Sequence, residues 1–134
     1  MVIPTAAELR LLDILWRLRE GTIEDILRAS GEDPAPNYKT VQTFLRIMET
    51  KKLVSHRLRG RAFVFRPLVR REQVNQLSIR SLLNRHFRGS RTELLLNMLE
   101  DERIDAAELE ELESLIRRYR KSRQAGERRP DRNK

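Results

Sequence analysis

Residues 37–66 have the sequence NYKTVQTFLRIMETKKLVSHRLRGRAFVFR, and the spacing of their apolar residues changes once along the stretch. Asn37 can cap a helix through its side chain, and the apolar residues that follow it recur at the spacing of one helix face: Val41, Phe44, Leu45 and Met48. From Val54 onward the period is two, and two short runs flank Gly60, which tolerates the positive φ of a hairpin turn. The stretch therefore predicts a helix over 38–51 followed by a β-hairpin.

Two further helices are predicted before this stretch. Thr5, followed three residues later by Glu8, forms a capping box that starts the first helix, and Gly21 is predicted to stop it. Thr22 then caps a short second helix. Three helices followed by a hairpin form the winged variant of the helix-turn-helix, so residues 1–69 are predicted to be a winged-helix DNA-binding domain.

The face of the third helix opposite its apolar stripe carries hydrogen-bonding side chains: Lys39, Gln42, Thr43, Arg46 and Thr50. Such side chains suit phosphates and base edges in a DNA major groove, although a solvated helix face is the competing interpretation. Between residues 50 and 71 the chain has eight basic residues and no acidic one, and an arginine lies on each side of the turn glycine. Double-stranded DNA is therefore the predicted partner, and the residues predicted to contact it are Lys39, Thr40, Gln42, Thr43, Arg46, Arg59 and Arg61.

The composition excludes several classes of function. The chain has 134 residues, a formal net charge of +8 and no cysteine, which excludes disulfides, thiolate metal sites and cysteine nucleophiles. The two histidines, His56 and His86, lack the spacing of a metal-ligand pair, and the five glycines do not cluster into a phosphate-binding loop. We therefore expect no enzyme activity, no metal and no cofactor.

Membrane insertion and secretion are not expected from this sequence. No run approaches the roughly 18 apolar residues of a spanning helix. Residues 1–8 lack the basic and apolar segments of a signal peptide. We therefore expect a cytoplasmic protein.

The residues after Pro67 predict three more helices, with more leucine than these helices can bury. We expect the helices over 72–87, over 92–99 and from Asp105 onward, the last with a short a/d seam. About fifty residues can scarcely bury so much apolar surface alone, so a second copy of the chain is the predicted partner. The alternative is that this region packs on the first half of its own chain. The predicted interface residues are Leu94, Leu95, Leu109, Leu112, Leu115 and Ile116.

The predicted fold class is therefore mainly α, with a winged helix-turn-helix followed by a three-helix dimerisation region. Residues 70–123 are predicted to form that helical domain. Residues 124–134 are basic and almost without apolar side chains, and they are predicted to be a disordered tail.

Several pieces of the sequence resemble the penicillinase-repressor family, the BlaI/MecI type of winged-helix transcriptional repressors. The matching pieces are TAAEL and ILW within residues 5–16, YKTVQTFLR at 38–46, KLV at 52–54 and FVF at 63–65. The resemblance extends over about residues 5–119.

This resemblance implies a homodimer that binds a palindromic operator and represses transcription. Members of the family are often encoded beside a membrane-anchored sensor metallopeptidase, which makes such a sensor a candidate partner. Induction then proceeds by cleavage after an asparagine in the dimerisation region. Asn97 and Met98 stand at that place, with Met98 where the best-known members have phenylalanine. A copper-responsive branch of the family uses a Cys-x-Cys cluster, which this chain lacks.

A winged-helix module that binds another protein, without specific DNA binding, is the main alternative to a repressor. That alternative predicts no concentrated positive charge on the third helix and the hairpin tip, and no salt-sensitive affinity for DNA. Because the sequence concentrates positive charge there, we expect a sequence-specific DNA-binding repressor.

Overall fold

A computed structural model describes residues 2–127, which form six α-helices and a two-stranded antiparallel sheet. In chain order the elements are α1 (Ala6–Leu18), α2 (Ile23–Ala29), α3 (Tyr38–Thr50), β1 (Val54–Arg59), β2 (Ala62–Pro67), α4 (Arg71–His86), α5 (Arg91–Leu99) and α6 (Ala106–Glu127). The described residues divide into two compact units, with the boundary between Leu82 and Leu83. The first three helices and the hairpin form a winged helix-turn-helix, so the predicted fold class is confirmed.

The first three helices begin at the residues that the sequence predicts. The Thr5 hydroxyl accepts the Glu8 amide at 3.2 Å, while the Glu8 carboxylate accepts the Thr5 amide at 2.9 Å. Thr22 and Asp25 form the same reciprocal pair at 3.1 and 3.0 Å. The Asn37 side chain accepts two backbone amides of α3, at 2.8 and 3.4 Å. Each cap satisfies amides that no helical carbonyl reaches and stabilises its helix by about 1 kcal/mol.

The predicted hairpin is present. β1 and β2 pair antiparallel as far as Arg59 opposite Ala62, so Gly60 and Arg61 form a two-residue turn. Gly60 has a φ of 64°, which a residue with a Cβ rarely adopts. The turn therefore places the guanidinium of Arg61 at the tip of the hairpin.

The first helix does not run to Gly21, contrary to the prediction. It ends at Leu18, and Arg19 takes the positive φ, 75°, that breaks the helix. Gly21 instead pairs with Phe65 of β2 through two backbone hydrogen bonds of 2.9 and 2.8 Å. A Cβ at this position would lie 3.1 Å from the Asp25 side chain and 3.3 Å from the Leu18 side chain, so glycine avoids crowding against both. The connection between α1 and α2 is thereby fixed to the base of the hairpin.

The core of the winged-helix domain is formed by side chains from the first three helices and the hairpin. The side chains with no exposed surface are Leu12, Leu15, Leu45, Met48, Leu53 and Val54. Of the apolar stripe predicted on α3, Val41 is also buried and Phe44 is half-buried against the core. Each such aliphatic side chain contributes about 1.5–3 kcal/mol on burial. The core therefore determines which face of α3 remains outside.

The start of α4 is attached to α1 by an aromatic and charged cluster. The indole nitrogen of Trp16 donates to the Val69 carbonyl at 2.9 Å. The Arg71 guanidinium lies 4.6 Å from the centre of the Trp16 ring and 2.7 Å from a carboxylate oxygen of Asp13. A cation over an indole face, close to a carboxylate, holds the first turn of α4 against the winged-helix domain.

Glu8 is a buried carboxylate that joins α1 to the end of α3. Its side chain is 2% exposed, and it accepts a hydrogen bond of 2.8 Å from the Lys51 ammonium. Burial alone would raise the pKa of Glu8. The hydrogen bonds from Lys51 and from the Thr5 amide stabilise the charged form, and together they hold the pKa below its ordinary value of 4.5.

Replacing Glu8 by glutamine is expected to destabilise the winged-helix domain by about 1–3 kcal/mol near neutral pH, because a charged hydrogen bond is removed. The folded-state pKa lies below the unfolded one, so this stabilisation is present above pH 4.5 and is lost as the pH falls through the folded pKa. The free energies of unfolding of wild type and Glu8→Gln should therefore converge in acid. Urea unfolding at neutral and acidic pH measures this, and an equal gap at both would contradict the assigned role.

Helices α5 and α6 bury little of their apolar surface within one chain. No side chain within Arg91–Leu99 is buried, and Leu94 and Leu95 are half-buried. On α6, Leu112 is half-buried, whereas Leu109 is 42% exposed and Ile116 is 48% exposed. The structure therefore leaves the leucine-rich surface that the sequence predicts largely uncovered.

Helix α5 begins with a single side-chain cap. The Ser90 hydroxyl accepts the Glu93 amide at 3.0 Å. The Ser90 amide donates to the Phe87 carbonyl at 2.8 Å instead of to the Glu93 side chain, so the cap is not reciprocal.

The last helix is longer than predicted. The Asp105 side chain accepts the Glu108 amide at 2.8 Å and starts the helix at the predicted place. It continues to Glu127 and so includes the first four residues of the segment predicted to be disordered, while 128–134 lie outside the described residues. Within residues 2–127, no helix is both long enough and apolar enough to cross a lipid bilayer.

Candidate nucleic-acid interface

A cleft of about 650 Å³ lies between α3 and the hairpin. Gln42 and Arg46 line it from α3, and Arg59 and Arg61 line it from the hairpin. Aromatic side chains of β2 form part of the same lining. The structure thus brings together four of the residues that the sequence predicts to contact DNA.

The other predicted residues of α3 lie outside this cleft. Lys39 and Thr43 are exposed on the helix surface. Thr40 is also exposed, but it lines a second cavity of about 170 Å³ together with Val41 and Phe44 of the apolar stripe. The predicted site is therefore divided into a part that lines the cleft and a part on the rest of the exposed surface of α3.

Two large exposed side chains of α3, Tyr38 and Ile47, were not among the predicted site residues. Tyr38 and Ile47 are each 43% exposed, and Tyr38 lines the cleft. Ile47 lies four residues after Thr43, so helical spacing places it on the same face as the polar residues. That spacing was available in the sequence, but an apolar residue on the polar face gave no signal for DNA contact.

Acidic groups near the α1–α2 connection orient the hairpin arginines. A guanidinium nitrogen of Arg57 lies 2.8 Å from a Glu20 carboxylate oxygen, and one of Arg59 lies 3.9 Å from the same oxygen. The pKa of Asp25 is lowered mainly by the backbone amide of Thr22, with a smaller contribution from the positive charge of Arg59. The side chains of Arg57 and Arg59 are still 51% and 61% exposed, so they remain open to a phosphate.

Arg46 and Arg61 each provide a positive charge on the cleft that the described part of the chain leaves without an ion pair. Among residues 2–127, neither guanidinium lies within ion-pair distance of a carboxylate. One comes from α3 and the other from the hairpin tip, and both line the cleft. Guanidinium groups in such positions can bind phosphates or, in the major groove, the acceptor edge of guanine.

An acidic residue borders the exposed face of α3, and sequence reasoning did not assign it a role. Glu49 lines the cleft three residues after Arg46, and both of its carboxylate oxygens lie 2.8 Å from Nδ1 of His56. The His56 ring lies 4.5 Å from the Phe63 ring and 5.6 Å from the Phe65 ring, measured between centroids. The position of Glu49 followed from helical spacing, but its pairing with β1 did not.

The chemistry available in the cleft is that of binding rather than of catalysis. It offers guanidinium, amide and aromatic groups on two adjacent elements, which suits a polyanion with flat bases. Across the described part of the chain, no three His, Cys, Asp or Glu side chains are grouped so that they could hold a metal ion.

The comparisons with known proteins agree on one family. The model of the Penicillinase repressor family matches residues 4–118, from before α1 into the second half of α6. The penicillinase repressor of Bacillus licheniformis is 25% identical over 114 residues, which cover 85% of this chain and 89% of that protein. The methicillin resistance regulatory protein MecI of Staphylococcus aureus (strain N315) is 20% identical over 112 residues, covering 84% and 91%.

One solved structure also aligns with the chain. It comes from work on the regulation of DNA binding of Bordetella bronchiseptica BpsR by 6-hydroxynicotinic acid. The alignment has a TM-score of 0.44 and 14% sequence identity, and it covers 86% of this chain and 74% of that one.

Proposed function

Since the chain belongs to the penicillinase repressor family, it is a DNA-binding transcriptional repressor, and we propose that it acts as a homodimer on a palindromic operator. Members of the family are regulators and not enzymes. One winged helix covers only a half-site, and two copies related by a twofold axis match a palindrome. As a repressor that acts on DNA, the protein is proposed to work in the cytoplasm without a cofactor.

DNA recognition is assigned to α3 and the hairpin. The charge and exposure of α3 support its entry into the major groove, and the residues assigned to it are Lys39, Thr40, Gln42, Thr43 and Arg46. Arg59 and Arg61 are assigned to phosphates or to the minor groove, because they flank the turn at the hairpin tip. The exposed Ile47 adds an apolar group that can contact a thymine methyl.

The main support for a homodimer is the exposed apolar surface of α5 and α6. A groove of about 410 Å³ between these two helices is lined by Leu95, Leu99, Leu109, Leu112 and Ile116, together with Ala106, Glu110 and Glu113. Exposed apolar patches of this kind mark association surfaces. The proposed interface residues are Leu94, Leu95, Leu109, Leu112, Leu115 and Ile116, and the proposed occupant is a second copy of the chain.

The charges of α6 favour an antiparallel arrangement of its two copies. Residues 106–116 contain four acidic side chains and no basic one, whereas 117–123 contain five basic side chains and no acidic one. Antiparallel pairing about Ser114 places Leu109 opposite Tyr119 of the partner copy, and acidic halves opposite basic halves. Parallel pairing would instead oppose like charges along the whole helix. The same gradient also suits the helix dipole, so the exposed apolar seam is the reason to invoke a partner.

The charge gradient of α6 provides a test of the antiparallel arrangement. Acidic halves face basic halves in that arrangement, and salt screens their attraction. We therefore expect the dimer dissociation constant to rise with ionic strength. Sedimentation equilibrium at low and at high salt measures this change.

Parallel pairing opposes like charges, so it predicts a dissociation constant that falls as the salt concentration rises. That result would contradict the antiparallel arrangement, and a chain that stays monomeric at every concentration would contradict the homodimer itself.

Proteolysis in the dimerisation region is the proposed route of inactivation, with a membrane-anchored sensor metallopeptidase as the proposed partner. Asn97 and Met98 lie near the end of α5, and Met98 is 48% exposed. The Asn97 side chain donates to the Glu93 carbonyl at 2.9 Å, within the helix. Peptides that add to a sheet edge do so in extended form, so docking of this segment in that way requires the last turn of α5 to unwind.

A further inference from the structure

His56 connects the hairpin to the recognition helix through a carboxylate. Its Nδ1 lies 2.8 Å from both oxygens of Glu49, and the two side chains are 34% and 35% exposed. On its other side the ring packs on Phe63, with 4.5 Å between ring centroids. His56 is therefore placed between the end of α3 and an aromatic residue of β2.

The carboxylate that His56 contacts lies on a surface proposed to receive DNA. Glu49 lines the cleft together with Arg46 of the same helix. The other charged groups that line this cleft are Glu24 of α2 and Arg59 and Arg61 of the hairpin. An unneutralised carboxylate at this place repels DNA phosphates, whereas a carboxylate paired with an imidazolium does not.

We propose that His56 is a positioning residue for DNA binding, whose protonated ring neutralises Glu49 and holds the hairpin on α3, so that DNA binding takes up a proton at this pair. The proposal rests on the proposed function, in which α3 and the hairpin contact DNA. The His56–Glu49 pair should therefore affect the affinity for any DNA duplex, because phosphate repulsion is independent of base sequence.

The direction of the expected pH dependence follows from the coupling between proton uptake and DNA binding. Histidine is the side chain that ordinarily changes charge between pH 5 and 8. Because the proposed binding of DNA takes up a proton at this pair, affinity rises as the pH falls and weakens as the pH rises. One linked proton limits the change to about tenfold in affinity per pH unit.

The chain itself supplies the control, since it has only two histidines. His86 is exposed at the end of α4. The experiment measures the affinity of the full chain for a mixed-sequence duplex of about 30 base pairs, between about pH 6 and pH 7.5 at constant ionic strength. We expect wild type to lose several-fold in affinity across this range, His86→Gln to lose the same, and His56→Gln to show no pH dependence.

Glu49→Gln provides a second variant, which also covers the case in which His56→Gln fails to fold. Without the carboxylate there is no charge for the imidazolium to neutralise, so the pH dependence should disappear. At pH 7.5 this variant should bind at least as tightly as wild type, because phosphate repulsion has been removed. A purely structural role for the pair predicts the reverse, a variant that binds more weakly at every pH.

The proposal is overturned if the pH dependence survives in either Glu49→Gln or His56→Gln, or if it disappears in His86→Gln instead. Equal wild-type affinity at both ends of the pH range would overturn it as well. Failure of the proposed function has a different result, namely no salt-sensitive affinity for the duplex at any pH.

Discussion

A chain that ends after Asn97 is expected to bind its operator more weakly than the full chain by two to four orders of magnitude, roughly the gain that linking two binding modules provides. Such a chain lacks α6 and the end of α5, which carry most of the proposed interface. The winged-helix domain should keep its fold, because its core and caps lie within residues 1–69. Each copy would then bind a half-site alone.

Solution mass and operator affinity test this result together. The full-length variant Leu109→Glu/Ile116→Glu should behave like the truncated chain, because a carboxylate at either position would be buried without a partner in the dimer. Glu111→Arg, on the opposite side of α6, should dimerise and bind as wild type does. A truncated chain that still dimerises and binds as tightly as the full one would contradict both the interface and inactivation by cleavage at Asn97–Met98.

Variants of α3 should lose base preference, whereas variants of the hairpin should lose affinity for all DNA sequences. Gln42 can pair with adenine through two hydrogen bonds and Arg46 with guanine, each worth about 1–3 kcal/mol of discrimination. Gln42→Ala and Arg46→Ala are therefore expected to lower operator affinity by roughly ten- to a hundredfold and to relax preference at particular base pairs. Binding to unrelated DNA should change much less. Affinities for a set of single-base operator variants measure the difference.

The hairpin variant Arg59→Ala/Arg61→Ala serves as the contrast. Removing one arginine–phosphate interaction should reduce the slope of log K against log salt by about 0.9, and binding should weaken alike on all sequences. If both α3 variants keep the wild-type base preference, α3 does not specify the bases. If the hairpin variant binds only the operator more weakly, at an unchanged salt slope, Arg59 and Arg61 do not contact phosphates.

The local features of the fold were predictable from sequence because each depends on residues close together in the chain. Thr5 with Glu8, Thr22 and Asn37 start their helices as predicted, since a cap needs only a side chain and the next amides. Gly60 makes the turn for the same reason, because its φ is a property of one residue.

Long-range contacts were not predictable in this way. Nothing in the sequence around Gly21 indicates that it pairs with Phe65, and its position after a helix suggested a stop instead. The Glu8–Lys51 pair joins residues 43 apart, so the glutamate that completes a local capping box also has a partner that only the folded core provides. Such contacts depend on how the elements pack, and residue type alone does not specify the partner.

The candidate site was predicted only in part, for a related reason. The amphipathic pattern of α3 placed Gln42 and Arg46 on the exposed face, and the structure puts both on the cleft. The same pattern could not show that Glu49 meets His56 or that Thr40 lines a different cavity, because those outcomes depend on the hairpin and on neighbouring helices. The interface residues of α5 and α6 remain predictions, supported by their exposure in a single chain.

Selection of binding sites from a random duplex library, with the full chain and with the chain that ends after Asn97 side by side, tests the dimeric repressor most directly. The full chain should select a sequence with twofold symmetry, with half-sites about one helical turn or a multiple apart and two chains bound per duplex. The shorter chain should select a single half-site, bound by one chain. The result that would contradict a homodimeric repressor is that the sequence selected with the highest affinity is asymmetric and binds a single full-length chain.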